Sequence, residues 1–334
     1  MAAYTTIDNP ELYFQAVIYT GNGGTNAITL PGSENMSPNL VWCAERDSTS
    51  SPKICDTLRG TETVLRPDGT TAEATDGGVV TSFDSDGFTH GADNGINESG
   101  NTNVGWCWVE SATAGFDIVG YDSTTSAKTE SHSLSAVPHL IIIKRRDRGT
   151  NNWPVYHHKN TAAPETDFLR LNTDDATADN ANMFNDTAPT SSVFSVGTGS
   201  EVNDGHTPAS AYITYLWSEK QGFSKFGSYE GNGDADGTFV YTGFRPAYVM
   251  CKSIDSTSEW FVFDNKRSPF NPVDDNLYAN SHLAENTTTN IVDFLSNGFK
   301  LRVSIDPYIA ETFVYVAFAK APFVNSEGVP CNAR

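Results

Sequence analysis

Two carboxylates stand three residues ahead of a guanidinium, Asp56 before Arg59 and Asp264 before Arg267. Buried, such a pair braces a turn through charge-assisted hydrogen bonds. Exposed beside an aromatic ring, the same groups present donors and acceptors to the hydroxyls of a sugar. The aromatic candidates are Trp153 and Trp260, each just after a turn, where an indole serves either as a stacking platform or as a core plug. One basic cluster, Lys144-Arg145-Arg146-Asp147-Arg148, follows an aliphatic run, and reads as a solvated loop or as a contact for an acidic neighbour.

Other chemistry finds weaker support. Asp84-Ser85-Asp86-Gly87 has the DxDG of half a calcium loop, and Asn232 to Gly237 fits the first half of an EF-hand, but Gly243 stands where the bidentate Glu is needed. Both read as turns, with calcium as the alternative. His157-His158 has no third ligand at an informative spacing, so no metal or other cofactor is expected, and His157 is assigned to a polar loop position. No nucleophile elbow, P-loop or dinucleotide fingerprint is present, and among 41 acidic residues no carboxylate pair stands out as a glycosidase would require. The expectation is a protein that is not an enzyme.

The elements that position these residues repeat. Pro38, Cys43, Asp47, Asp56 and Arg59 each find the same residue type 208 positions later, at Pro246, Cys251, Asp255, Asp264 and Arg267. Phe83, Ser85, Gly87 and Phe88 recur as Phe294, Ser296, Gly298 and Phe299. A more diverged middle copy keeps the order, and places His157 where the outer copies have Asp56 and Asp264. The organisation read from this is an arm (1–13), three units (14–115, 116–222 and 223–323) and a tail (324–334). Each unit has short apolar runs separated by turn residues, which predicts an all-β chain of three tandem β-sandwich repeats of about 100 residues, jelly-roll or lectin-like in type. The closing strands alternate: Val104, Trp106 and Trp108 align with Ile213, Tyr215 and Trp217 and with Val314, Val316 and Phe318, and are taken as the core face. Cys43, Cys55, Cys107 and Cys251 then read as unpaired packing residues, with Cys331 in the tail as the exception. Asn9 and Pro10 predict a short helix start in the arm.

Composition sets limits on partners. With 21 Lys plus Arg against 41 Asp plus Glu the net charge is −20, which disfavours nucleic acid and anionic lipid. Leu140 to Ile143 is far short of the roughly 20 apolar residues of a membrane helix, so no membrane insertion is expected. The first dozen residues lack the charged and apolar regions of a secretory signal, giving an expectation of synthesis in the cytoplasm.

The same residues carry a family resemblance. "YTGNGG" and "VWCAERD" in the first unit, "VPHLIIIKRRDRGTNNWPVYH" in the second, and "GSYEGNGDADGTFVYTGFRPAYVMCKSIDSTSEWFVFDNKR", "DFLSNGFKLR" and "YVAFAKAPF" in the third resemble a family of tailed-phage virion proteins, common in marine phages and related to concanavalin A-like sandwiches. The resemblance covers residues 12 to 334. It implies a structural component on the virion surface, such as a tail fibre or tip, assembled in the host cytoplasm with other virion proteins, and able to bind host cell-surface carbohydrate. Appendages of this kind are often homo-trimers. The alternatives are a capsid or tail decoration protein, with Lys144, Arg145, Arg146 and the arm as contacts, and, more weakly, a polysaccharide depolymerase.

Overall fold

Side chains alternate along an extended backbone, so Val104, Trp106 and Trp108 leave the strand Thr102–Trp108 on the face opposite Cys107. The computed structural model, which describes residues 4–287, 291–304 and 309–331, buries both of those faces. The first three residues of the expected arm and the last three of the expected tail lie outside the described residues.

The chain is all-β, with one 3-10 turn, Pro10–Leu12, among the described residues. Asn9 caps that turn by accepting a hydrogen bond from the Glu11 amide, and Pro10 occupies its first position. The strands form three main antiparallel sheets with a common spatial order. In the first, Phe14–Thr20 lies beside Thr102–Trp108, then Leu40–Glu45, then Lys53–Asp56. In the second the order is Phe116–Asp122, Ala211–Trp217, Leu140–Arg145 and Pro154–His157. The third runs Ser224–Glu230, Thr312–Pro322, Phe244–Ser253 and Phe261–Asp264. Registers correspond: Leu40 faces Trp108, Leu140 faces Trp217 and Tyr248 faces Phe318.

The tryptophan-bearing side of each closing strand is a core face as expected, and the structure adds a second core on the opposite side of each main sheet. One side is covered by a smaller sheet. Cys43 and Cys107 pack there with Phe88, Ile143 and Leu216 with Phe194, and Cys251 and Ala317 with Phe299, forming three separate sandwich cores. All four cysteines of the units are buried and in no disulfide among the described residues, and Cys331 is exposed. The other side of each main sheet faces the other two main sheets. Val104, Trp106, Trp108, Ile213, Tyr215, Trp217, Val314, Val316 and Phe318 all belong to this one shared cluster. At its centre Trp108 meets Trp217 at 6.2 Å and Phe318 at 5.6 Å between ring centroids, both edge to face, the favoured geometry for aromatic pairs. Leu40–Glu45 and Leu140–Arg145 show no alternation of burial because both faces of each strand are covered, and their apolar residues Leu40 to Ala44 and Leu140 to Ile143 enter the shared core and a sandwich core in turn.

Candidate functional site

The two Asp–Arg pairs lie where the strands Lys53–Asp56 and Phe261–Asp264, fourth in the spatial order of their sheets, end against a neighbouring sheet. Arg59 Nε donates to Asp56 at 2.5 Å and Arg267 Nε to Asp264 at 2.6 Å, with all four side chains fully buried. Each guanidinium also donates to a carbonyl of its own strand, Ile54 or Val262, at 2.8 Å. The remaining capacity of each carboxylate is met from the adjacent unit: Tyr215 Oη donates to Asp56 at 2.7 Å, and Trp106 Nε1 donates to Asp264 at 3.0 Å. Burial alone would raise the Asp264 carboxyl, but the Arg267 charge and the hydrogen bonds from Arg267 and Trp106 hold it below its ordinary value. These pairs brace turns and seams, and no solvent-borne sugar reaches them.

A second set of contacts closes the seams. The amide of Glu73 donates to the Arg146 carbonyl at 2.7 Å, that of Thr177 to Ile254 at 3.0 Å, and that of Glu285 to Arg46 at 2.9 Å. The second unit thus docks on the first, the third on the second and the first on the third, in one closed cycle. Glu285 bridges Arg46 and Arg267, and Glu73 bridges Arg146 and Arg59. The middle seam replaces every charged member: His157, Asn160 and Thr177 stand in place of the aspartate, arginine and glutamate, with Thr177 Oγ1 donating to Asn160 Oδ1 at 2.6 Å. His157, expected in a polar loop, instead ends the strand Pro154–His157 fully buried. Its Nε2 lies 3.1 Å from the Tyr315 carbonyl of the third unit, and its Nδ1 accepts from the Lys159 amide. A histidine fits because the position equivalent to Trp106 and Tyr215 on this closing strand is Val316, which has no side-chain donor, and the Tyr315 carbonyl is an acceptor that an aspartate could not meet.

The other candidate residues are consumed in the same way. Trp153 and Trp260 are 0% and 1% exposed, and their indoles donate to the Gly69 and Arg170 carbonyls of the preceding unit at 3.0 and 2.9 Å. Neither has a free face for stacking. The basic run divides: Arg146 to Arg148 lie in the bend after the strand and are partly exposed, whereas Lys144 and Arg145 lie within the strand Leu140–Arg145 and are buried. Lys144 Nζ donates to the Thr70 and Asn151 carbonyls, and burial pulls its pKa down to about 8. Arg145 pairs with Asp204 at 2.7 Å, and Arg146 with Glu73 at 2.8 Å. In the DxDG segment, Asp84 accepts from the Ser82 and Thr89 hydroxyls and Asp86 from the Met36 amide. Gly87 turns the hairpin at φ +127°, where a Cβ would lie 2.0 Å from the Ile28 carbonyl oxygen. Asp236 of the EF-hand-like segment pairs with Lys300. Among the described residues no three His, Cys, Asp or Glu side chains converge as a metal site would need.

An open site lies elsewhere, at the junction between the second and third units. Glu219 and Gln221 from the linking segment, Ser224 and Lys225 from the start of the strand Ser224–Glu230, and Tyr241 and Tyr4 line a cleft of about 240 Å³. Tyr241 is 54% exposed at the end of the strand Phe239–Tyr241, whose outward positions are both aromatic. Tyr4 Oη donates to the Gly243 carbonyl at 2.8 Å and lies 3.4 Å from Tyr241 Oη, which fixes one wall. Lys225 Nζ donates to Glu219 Oε1 at 2.7 Å. Sequence reasoning passed over this site, although a signal existed. In the first unit the positions paired like Phe239 and Tyr241 hold Ala27 and Thr29, and the corresponding strand of the second unit, Lys128–Ser131, has no aromatic residue, so the third unit differs in placing large aromatics on this solvent-facing edge.

Fold and site together define an all-β protein in which three sheets enclose one shared core and a polar, aromatic-walled cleft opens at a seam. The chain belongs to the family described as a domain of unknown function, DUF7483, which matches residues 9–322. No curated protein matches it.

Proposed function

We propose that the protein is a non-enzymatic component of a tailed-phage surface, of tail-fibre or tail-tip type, that binds a host cell-surface glycan. The observation that carries this reading is the cleft between Tyr4, Tyr241 and Glu219, which combines an exposed ring with hydrogen-bonding groups on a rigid frame. Aromatic faces and fixed polar groups are what a protein needs to hold a polyhydroxyl ligand without transforming it. The residue resemblance to phage virion proteins supplies the virion context. A purely decorative role draws less support, because Lys144, Arg145 and Arg146 already bond within the chain.

The test is a glycan array with the purified protein, followed by chain-length analysis of any bound polysaccharide. Retention of a glycan with no shortening over time is the expected result. Shortening would make the protein a depolymerase, and absence of binding to every glycan would overturn the reading.

A further inference from the structure

We propose that the cleft between the second and third units is a site for the uncharged terminal pyranose of a saccharide, a reading that rests on the glycan-binding function above. Size sets the first limit. At about 240 Å³ the cleft is smaller than the roughly 300–1,000 Å³ pockets that enclose drug-sized ligands, so it takes one ring and leaves the rest of a chain outside. The ring of Tyr241 is the exposed surface against which the C–H face of a pyranose packs, and its neighbour Tyr4 is tied down through Gly243 and stays in place when a ligand enters.

Charge sets the second limit. Glu219 and Lys225 neutralise one another at 2.7 Å, so the cleft offers a carboxylate acceptor and an ammonium donor without net charge. Gln221 adds an amide, while the buried Ser224 hydroxyl already accepts from the Lys220 amide at 3.0 Å and braces the floor. Such a set matches the vicinal hydroxyls of a neutral sugar, which both donate and accept. An anionic sugar would meet no unpaired cation here, and would approach a chain of net charge −20.

The experiment titrates the full-length protein, by calorimetry and by NMR, with the methyl glycosides of glucose, galactose and mannose and with N-acetylglucosamine, against glucuronate and N-acetylneuraminate at equal concentration. At least one neutral sugar should bind and neither anionic one should. Tyr241→Ala should weaken binding by about tenfold or more, whereas Tyr241→Phe, which keeps the ring, should hold it within about threefold of the unaltered protein. Since Tyr241 is more than half exposed, melting temperature should be unchanged in both variants and serves as the folding control. Binding that survives Tyr241→Ala intact would overturn the assignment of the cleft while leaving glycan binding standing. Preference for the anionic sugars would overturn the neutral-ligand inference. If the unaltered protein binds neither this panel nor any array glycan, site and function fall together.

Discussion

His157 and His158 are the residues whose protonation the fold resists most plainly. Burial lowers the His157 pKa from 6.5 to about 3, helped by neighbouring His158, and burial lowers His158 to about 4, against the hydrogen bond it makes to the Phe226 carbonyl. The groups around them are His139, 4.4 Å from His158 between ring centroids, together with Lys159 and Glu219. Both histidines are neutral in the folded chain while the unfolded chain protonates them below about 6.5. Their stabilising effect is therefore complete above pH 6.5 and is lost progressively as the pH falls toward 4 and 3. Glu110 acts oppositely, because burial and Asp117 raise its pKa from 4.5 to about 7 and the folded chain holds a proton that the unfolded chain releases. Burial also lowers His90 to about 4 and lowers His139, so these histidines act in the same direction as His157 and His158 and outweigh Glu110, leaving stability rising with pH between about 4.5 and 6.5. Asp264, held below its ordinary 3.8, contributes only in more acidic solution. Urea midpoints across this window should rise with pH. His157→Gln, which keeps a donor for Tyr315, should flatten that slope, and Glu110→Gln should steepen it; an unchanged slope in both would refute the assignment.

At the scale of elements, each seam is a small code. A carboxylate meets a side-chain donor on the facing strand, as Asp56 meets Tyr215 and Asp264 meets Trp106, and a donor meets a carbonyl where His157 meets Tyr315. His157→Asp should therefore destabilise the chain by about 3–5 kcal/mol, since it buries a carboxylate with no guanidinium and an acceptor opposite. Adding Asn160→Arg should recover part of that loss but not all, because Val316 still offers no donor. Denaturant midpoints of the single and double variants decide the matter, and an additive or worse double variant would contradict the code.

The same seams show how far the residues could be read before the structure. Asp56 and Arg59 stand three apart and recur, so their internal ion pair was legible. Their partners were not, because Arg46 and Glu285 lie 239 positions apart and Tyr215 and Asp56 lie 159 apart, with residue types that change from seam to seam. The coordinated exchange of Asp, Arg and Glu for His, Asn and Thr looks like drift in a linear alignment and becomes one neutral network only when the strands are placed side by side. Alternation in Thr102–Trp108 disclosed two faces but could not disclose that both are buried, since burial of the tryptophan face depends on two other sheets. Trp153 and Trp260 each stand one residue before a strand, and the preceding unit encloses them.

The shared core also decides what the whole molecule can do when taken apart. A fragment of residues 14–115 keeps its sandwich core around Cys43, Cys107 and Phe88 but exposes Phe14, Leu40, Trp42, Trp106 and Trp108 to water. At about 1.5–3 kcal/mol for each large apolar side chain, losing that burial costs about 7–15 kcal/mol. A whole domain is stable by only about 5–15 kcal/mol, so the fragment should not fold alone. The intact chain should for the same reason unfold in one calorimetric transition despite its length, since releasing any one sheet strips the inner faces of the other two. Glu285→Gln, which unlinks Arg46 from Arg267, should then move that single transition to lower temperature without splitting it. Scanning calorimetry with a ratio of calorimetric to van't Hoff enthalpy near one would agree with a closed cycle. A folded 14–115 fragment, or a second transition appearing in the Glu285 variant, would mean that the three sandwiches stand independently and that the tryptophan faces hold them together only loosely.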